Sequence, residues 1–274
     1  SCYLCYMLGL GNSLNRGGTG PNLLLDLYSG AQSAYSLRKL SSTYTGNCIR
    51  VRRDDGTTED IGFDGASINS AALEAFCGSA NGFIDIWYDQ GGSGNNATTA
   101  IDETTATKHL PQIVASGSYL GYAHFSTNHK EFSMYNVSGD ATVFVVIQTD
   151  DDNAVIFDSK DSGSGYILVW ADGSTSTGIT HLTGTPKFYI DSALQSFSTR
   201  DSVHTAIADD AKKLLSVTDI DFAESGSIWT PMSFGDYDGG LDLTAKIYEM
   251  IVYNSDKSSH RVAIDADIMN YHGI

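Results

Sequence analysis

The stretch LTAKIYEMIVY, residues 243–253, indicates the fold most directly. In a β-strand, successive side chains point to opposite faces. A regular strand here would place Leu243, Ala245, Ile247, Glu249, Ile251 and Tyr253 on one face and Thr244, Lys246, Tyr248, Met250 and Val252 on the other. Both faces are largely apolar, so each needs a partner layer. The stretch therefore predicts a strand at the centre of a layered β fold.

Similar short runs, rich in Val, Ile, Tyr, Phe and Thr, recur along most of the chain. Clusters of Gly, Asp, Asn and Ser separate them at intervals of about 8 to 12 residues, which is the spacing of β-sandwiches. We predict strands at Ala34–Leu40, Cys48–Arg53, Phe83–Tyr88, Ala141–Thr149, Ala154–Ser159 and Tyr166–Ala171. The pattern predicts an all-β fold, a jelly-roll sandwich of two antiparallel sheets.

Two segments have a helical pattern instead. One is a short helix near 70–77, and the other is a C-terminal helix over 257–272 with Ile264, Ile268 and Tyr271 on one stripe. The predicted caps are Asn69 or Ser70 and Gly78 for the first helix, and Asp256 and Gly273 for the second. We expect the C-terminal helix to pack on the sandwich.

The chain has 274 residues, of which 41% are hydrophobic, and this suffices for one large core. Residues 11–22, GNSLNRGGTGPN, have the composition of a connector. The opening SCYLCYMLGL lacks a basic start and a small-residue cleavage site, so we interpret it as a packing arm rather than a signal peptide. We predict an N-terminal arm and connector over 1–22 and one sandwich domain over 23–274.

Acidic residues dominate the charge. There are 33 Asp and Glu against 16 Lys and Arg, which gives a net charge of −17. Such a surface repels phosphate backbones and anionic lipids, so we expect no nucleic-acid partner. No run approaches the roughly 20 apolar residues of a membrane span, so we expect no membrane insertion.

The four cysteines are too few for a disulfide scaffold. Cys2 and Cys5 have the spacing of half a zinc knuckle, and the other half is missing. Cys48 and Cys77 either form a bridge or are two buried thiols, and we favour buried thiols.

The segment WYDQGGSGNNATTA, residues 87–100, follows an apolar run and combines residues that favour tight, self-capped turns. We interpret Asp89, Gln90, Asn95 and Asn96 as residues of a structural turn, because side-chain hydrogen bonds of this kind hold turns together. The segment resembles the YDQSGNGNHLT element of the arabinofuranosidase B family. SGAQSAYSLRKL (29–40), TTEDIGF (57–63) and LPQIVASG (110–117) occur in the same order as in that family.

The resemblance implies a concanavalin-like catalytic sandwich. The close of the chain, IYEMIVYNSDKSSHRVAIDADIMNYHGI, is similar to the end of laminin-G-like and concanavalin-like domains. The run from LLLDLYSGAQSAYSLRKL to WYDQGGSGNNAT also resembles small proteins of tailed bacteriophages that are regarded as virion components. We therefore predict a concanavalin/laminin-G-like jelly roll, and a virion protein is one expectation for its function.

The arabinofuranosidase resemblance requires two carboxylates, an acid/base and a nucleophile. The family carries the acid/base in a GGDNSNG-like turn, and SFGDYDGG (233–240) places Asp236 at the matching position. The strand expected to hold the nucleophile, GYILVW (165–170), contains no carboxylate. Glu131, Asp158 or Glu224 would have to approach from elsewhere. We therefore expect that the chain is not an enzyme and that Asp236 is its acid/base if it is one.

Other sites follow from residue types. Trp229, Asp236, Tyr237 and Asp238 are candidates for carbohydrate binding, because jelly rolls bind sugars with aromatic rings and carboxylates. Asp236, Asp238 and Asp242 most simply cap their own loop, and a weak calcium site is the alternative. We expect no other metal or cofactor, since no His pair has helical zinc spacing and no G-x-S-x-G or P-loop pattern occurs.

Together these observations lead us to expect a non-enzymatic bacteriophage virion structural protein, either a capsid decoration or a tail or fibre component. Its arm would bind other virion proteins, and its lectin-like sandwich would sit on the virion surface, where it could bind host glycans. A homo-oligomer is expected, with a trimer favoured. The alternatives are a glycoside hydrolase of the arabinofuranosidase type and a free carbohydrate-binding module.

Overall fold

The structure, a computed structural model, describes residues 22–99, 110–126, 132–133, 139–150, 154–159, 166–171, 183–221, 232–234 and 244–274. The predicted arm over 1–22 lies outside them except for its last residue, so its role stays a prediction.

Strands account for most of the described chain. They are β1 Ser33–Ser36, β2 Ile49–Arg53, β3 Thr58–Ile61, β4 Phe63–Asp64, β5 Ser67–Ile68, β6 Gly82–Trp87, β7 Ala97–Thr99, β8 Gln112–Ala115 and β9 Ser118–Phe125. They continue with β10 Phe132–Ser133, β11 Asp140–Gln148, β12 Ala154–Ser159, β13 Tyr166–Ala171, β14 Thr183–Ile190, β15 Ala193–Gln195, β16 Lys213–Asp221, β17 Met232–Phe234 and β18 Ala245–Tyr253. Each predicted strand is present: Ala154–Ser159 and Tyr166–Ala171 have the predicted ends, and the ends of the others differ by at most four residues.

The strands pair antiparallel in the order β13-β12-β17-β10-β7-β6-β8-β9-β18-β11-β16-β14-β15. β1 joins β18, β2 pairs with β6 and β3, and β4 and β5 form a separate hairpin. Neighbours in this order are often far apart in sequence, as when β11 lies between β18 and β16. The predicted all-β antiparallel fold is confirmed.

The first strand is shorter than the predicted Ala34–Leu40, because the backbone after Ser36 turns to other partners. Lys39 donates its N–H to the carbonyl of Ala66, and Leu40 donates its N–H to a side-chain oxygen of Gln90. These bonds replace the strand ladder and hold the segment against two loops.

Two cores flank the central strands. The larger core collects buried side chains of β2, β6, β9, β11, β16 and β18, with Trp87 as its largest member. The second lies between β1, β11, β18 and the helical segments Leu24–Leu27 and Arg261–His272, and it contains Leu24, Phe144, Tyr253 and Ile264. The chain therefore has a sheet-to-sheet core and a helix-to-sheet core, with β18 contributing to both.

The regular alternation predicted for residues 243–253 is wrong. Val146 pairs with Glu249, whereas the next residue, Ile147, pairs with Ile247, so Tyr248 is an extra residue in β18. Such a β-bulge reverses the alternation. Ala245, Ile247, Met250 and Val252 consequently belong to the larger core, whereas Ile251 and Tyr253 belong to the second. Glu249 is thereby placed on the helix side of the sheet.

The helices are α1 Leu24–Leu27, α2 Ser70–Cys77, α3 Arg200–Ile207 and α4 Arg261–His272. The short helix is confirmed, and Asn69 is its cap, since its Oδ1 accepts the N–H of Ala72 at 3.0 Å. The predicted start of the C-terminal helix at Lys257 is wrong. Asp256 Oδ1 accepts from the backbone N–H of Ser258 at 2.8 Å, which forms a turn instead of a helix cap.

Candidate functional site

The turn after β6 is organised by the carboxylate of Asp89, which is 3% exposed. Its Oδ1 accepts backbone N–H groups from Ala34 at 2.9 Å and Gly91 at 2.7 Å. Its Oδ2 accepts from Ser93 at 3.1 Å and Asn95 at 3.2 Å. Burial raises the pKa of Asp89, and the four amide donors lower it in part. The carboxylate joins the turn to β1 and leaves no free face for a substrate.

The other polar side chains of this turn also bond to backbone. Gln90 spans residues 36–40, because its amide nitrogen donates to two carbonyls and its oxygen accepts one N–H. Gln90 Nε2 donates to the carbonyls of Ser36 (3.0 Å) and Arg38 (2.9 Å), and its Oε1 accepts the N–H of Leu40 (2.8 Å). Asn95 Nδ2 donates to the carbonyl of Gln32 at 2.7 Å. Asn96 Oδ1 accepts the N–H of Asp89 at 3.0 Å. These are the contacts of a structural turn.

A cleft of about 360 Å³ lies beside the turn. Its lining includes Ala31, Tyr44, Gln90, Gly91 and Gly92, and none of its described lining residues is charged. Glycosidic bond cleavage needs carboxyl groups. This cleft therefore lacks a catalytic pair among the described residues.

A buried ion-pair network lies on the opposite side of β1, and we call it the Glu249 cluster: Ser36, Arg38, Glu249, Asp267 and His272. Glu249, which is 1% exposed, accepts from Arg38 Nε at 2.7 Å and Nη2 at 2.9 Å. Ser36 Oγ donates to it at 2.7 Å, and His272 Nε2 lies 3.3 Å away. Arg38 Nη1 also reaches Asp267 at 2.9 Å.

Charge neutralisation holds this cluster together. Burial alone would raise the pKa of the Glu249 carboxyl, but the Arg38 charge and the bonds from Arg38 and His272 outweigh it and hold the pKa at about 2. Glu249 is therefore ionised at neutral pH and fully paired. It is a structural anchor between β18, β1 and α4.

A second cleft, of about 350 Å³, opens above this cluster, and we call it the tyrosine cleft. Tyr119, Tyr248 and Tyr271 line it together with Lys212 and His272. The bulge in β18 contributes to it, because the extra residue is Tyr248. Its lining is more aromatic than that of the first cleft, in which Tyr44 is the one aromatic residue among the described lining.

Most of the residues singled out earlier for chemistry are not among those that the structure describes. Trp229, Asp236, Tyr237, Asp238 and Asp242 are outside the described residues, as are Glu131 and Glu224. The backbone of Asp158 is described, and it pairs with Ser233 of β17. Phe132, which follows Glu131 in sequence, pairs with Phe234, two residues before Asp236. The strand order thus brings β10, β17 and β12 side by side.

Cys48 and Cys77 are free and buried, which confirms the prediction of buried thiols over a bridge. No group of three or more His, Cys, Asp or Glu residues suited to a metal ion occurs in the described ranges. Among the same residues, no helix is long and apolar enough to cross a membrane.

Sequence reasoning missed the Glu249 cluster. The sequence feature that indicates it is Glu249, a lone Glu in an apolar strand, because a buried carboxylate requires a cation nearby. Its partner Arg38 lies 211 positions away along the chain, and only the pairing of β1 with β18 brings the two together.

Residues 26–153 match the family model of the α-L-arabinofuranosidase B catalytic domain. An α-L-arabinofuranosidase of Hypocrea jecorina is 43% identical over 65 residues, which are 23% of this chain and 13% of the relative. The range matched by the family model contains the turn built around Asp89, residues 87–99.

Solved structures extend the likeness to most of the chain. An arabinofuranosidase in complex with arabinofuranosyl-α-1,2-xylobiose aligns with a TM-score of 0.54 and 17% identity, over 87% of this chain and 62% of that one. A mutant GH54 α-L-arabinofuranosidase soaked with 4-nitrophenyl α-L-arabinofuranoside aligns with a TM-score of 0.56, 14% identity and the same coverage. The chain spans 62% of these structures and 13% of the curated relative.

These matches correct two expectations. The expectation of a non-enzymatic virion structural protein is wrong, because the family model and the similar proteins are those of glycoside hydrolases. The expectation that the chain is not an enzyme is wrong on the same findings. A trimeric assembly, a host glycan and an extracellular location stay predictions. The chain has the fold of the arabinofuranosidase B catalytic domain.

Proposed function

We propose that this chain is a glycoside hydrolase that releases α-L-arabinofuranosyl groups from saccharides. The observation that carries the proposal is the match of residues 26–153 to the catalytic domain of arabinofuranosidase B. The fold shared with arabinofuranosidases over 87% of the chain supports it. The matched range includes the Asp89 turn and the strands β6, β7 and β10.

In the proposed reaction, a carboxylic acid protonates the glycosidic oxygen as the bond to the anomeric carbon breaks. A second carboxylate either attacks that carbon or activates the water that does so. Water supplies the hydroxyl group of the released arabinose, and the acid recovers its proton. We assign the acid role to Asp236 on the basis of its sequence context.

The second carboxylate is proposed from strand order. The Cα atoms of cross-strand pairs lie about 4.5–5.5 Å apart, and Asp158 pairs with Ser233, three residues before Asp236. Glu131 precedes Phe132, whose partner Phe234 is two residues before Asp236. Carboxyl groups in glycosidases lie about 5–5.5 Å apart in retaining enzymes and about 6.5–9.5 Å apart in inverting ones. Asp158 and Glu131 are therefore the two candidates, and Asp158 is the first choice because strands β13 and β17 flank it on both sides.

The test uses two substrates: 4-nitrophenyl α-L-arabinofuranoside, whose leaving group needs little protonation, and arabinofuranosyl-α-1,2-xylobiose, whose leaving group needs more. Asp236→Asn is expected to lower kcat/KM on the xylobiose substrate by about 10²- to 10⁴-fold. The loss on the nitrophenyl substrate should be smaller. Asp64→Asn, at an exposed position of β4, is the matched control and should retain activity. Failure of the unmodified chain to release arabinose from either substrate would refute the proposal.

A second pair of variants identifies the other carboxylate. Asp158→Asn should abolish hydrolysis of both substrates if it supplies that group, because the leaving group does not bypass this step. Glu131→Gln should then keep most of its activity. The opposite result assigns the role to Glu131, and full activity in both variants rejects the strand-based assignment.

A further inference from the structure

The tyrosine cleft has an aromatic ring suited to stacking. Tyr271 is 47% exposed, although it lies near the end of a well-packed helix. The Arg38 guanidinium lies 4.4 Å from the centre of its ring, and the ring of His272 meets it edge-on at 4.9 Å. These contacts fix the ring while a large part of its surface remains open. An exposed but immobilised aromatic ring loses little entropy when a flat apolar ligand face packs on it.

Polar groups line the same cleft as this ring. The hydroxyl of Tyr119 makes no hydrogen bond to any other described residue, and the same holds for the side chain of Ser70. Burial raises the pKa of Tyr119, so its hydroxyl remains a donor at neutral pH. Lys212 Nζ donates to the carbonyl of His272 at 3.1 Å and lies 4.3 Å from the centre of the Tyr248 ring. An ammonium with three donors retains capacity for a ligand oxygen.

The charge balance favours a neutral ligand. Arg38 is neutralised by Glu249 and Asp267, so its positive charge is already used. Lys212 forms no ion pair with a described residue, and it is the remaining cation of the cleft. A strongly anionic ligand would meet Lys212 as the one free cation among the described lining residues, in a chain of net charge −17. Hydroxyl groups, by contrast, can accept a hydrogen bond from Lys212 and can donate to or accept from Tyr119 and Ser70.

We propose that the tyrosine cleft is a saccharide-binding site, in which one sugar ring stacks on Tyr271 and its hydroxyls bond to Tyr119, Ser70 and Lys212. Its volume of about 350 Å³ lies within the range of small-ligand sites, about 300–1,000 Å³. The proposed catalytic carboxylates are assigned next to or within β10, β12 and β17, and β7, β6, β8 and β9 lie between β10 and β18 in the strand order, so the cleft and the proposed catalytic site use different strands. The cleft would hold a polysaccharide chain away from the bond that is cut.

The test uses β-1,4-xylohexaose, an unbranched saccharide without arabinofuranosyl groups. The choice of a xylan fragment rests on the proposed function, whereas the cleft itself does not. Binding is measured by isothermal titration calorimetry on the full chain. Tyr271→Ala should weaken it at least about tenfold, which corresponds to about 1.4 kcal/mol, and Tyr271→Phe should preserve the stacking face. Tyr119→Phe should weaken binding by about 2- to 10-fold through the loss of one hydrogen bond.

Val262→Ala is the matched control, since Val262 is on the same helix and is 62% exposed. Thermal unfolding of each variant verifies that the helix remains packed.

Hydrolysis of 4-nitrophenyl α-L-arabinofuranoside should be unchanged in Tyr271→Ala, and its loss would overturn the separation of the two sites. Absence of xylohexaose binding, or equal binding by Tyr271→Ala, overturns the saccharide site. Hydrolysis without binding leaves the proposed function intact, and binding without hydrolysis refutes the proposed function alone.

Discussion

Replacing Glu249 by Gln tests whether the buried ion pair anchors the fold. The substitution keeps the size of the side chain but removes the charge that faces Arg38. One carboxylate oxygen becomes an NH₂ group, so a donor replaces an acceptor opposite the guanidinium. Ser36 and His272 also lose part of their acceptor. Arg38 keeps Asp267, whose side chain is 32% exposed and thus a weaker partner.

The magnitude follows from two independent estimates. Removing one member of a buried ion pair typically costs about 3–5 kcal/mol. The pKa of Glu249 falls from 4.5 to about 2 on folding, and a shift of that size corresponds to about 3 kcal/mol. Because the folded-state pKa is the lower one, this stabilisation is present above pH 4.5 and is lost as the pH falls through about 2. The two estimates agree on about 3 kcal/mol near pH 7.

Urea unfolding at pH 7, 4 and 3 measures the difference in unfolding free energy between the unmodified chain and Glu249→Gln. We expect a difference of about 3 kcal/mol at pH 7 that decreases below pH 4.5. Glu59→Gln, on the exposed side of β3, is the control and should change stability by less than about 0.5 kcal/mol. A loss below about 1 kcal/mol at pH 7, or a loss independent of pH, would refute the reasoning.

Three further predictions concern the turn, a glycine pair and a thiol. Asp89→Asn places an NH₂ group against backbone donors, so we expect a loss of about 3–6 kcal/mol by urea unfolding, whereas Asp85→Asn in the preceding strand should cost under about 1 kcal/mol. Gly117→Ala should destabilise the chain more than Gly121→Ala. Both glycines have positive φ, but only at Gly117 would a Cβ atom lie 2.3 Å from a carbonyl oxygen, that of Gly78. Equal melting temperatures of the two variants would contradict this. Peptide-level alkylation should label Cys48 only after unfolding, because burial raises its pKa and closes access, and labelling of the native chain would count against it.

Periodicity and turn chemistry predicted much of the fold. The strands from Cys48 to Arg53 and from Phe83 to Tyr88 are found within one residue of their predicted limits, and the cap at Asn69 forms as expected. These features depend on neighbouring residues, which sequence patterns record directly. The start of α4 was wrong because Asp256 can cap a helix or close a turn, and both use the same side-chain oxygen.

Features that depend on distant pairing were not predictable in the same way. The ion pair of Glu249 with Arg38 requires β1 to lie beside β18, and the order of β11 between β18 and β16 requires long connections. The tyrosine cleft likewise combines residues from β9, β18, α4 and the segment before β16. The two sequence signals for the functional class conflict, because residues 165–170 contain no carboxylate whereas the first half of the chain resembles the arabinofuranosidase B family.

The bulge at Tyr248 has a mechanical consequence. Because one backbone supplies consecutive side chains to two layers, neither the facing sheet nor the C-terminal helix can slide along β18 without disturbing the other. A deletion or an insertion of one residue before Met250 would turn Met250 toward the helix side of the sheet and Ile251 toward the larger core. The last strand thus sets the alignment of both layers, and a change in its length would disturb both.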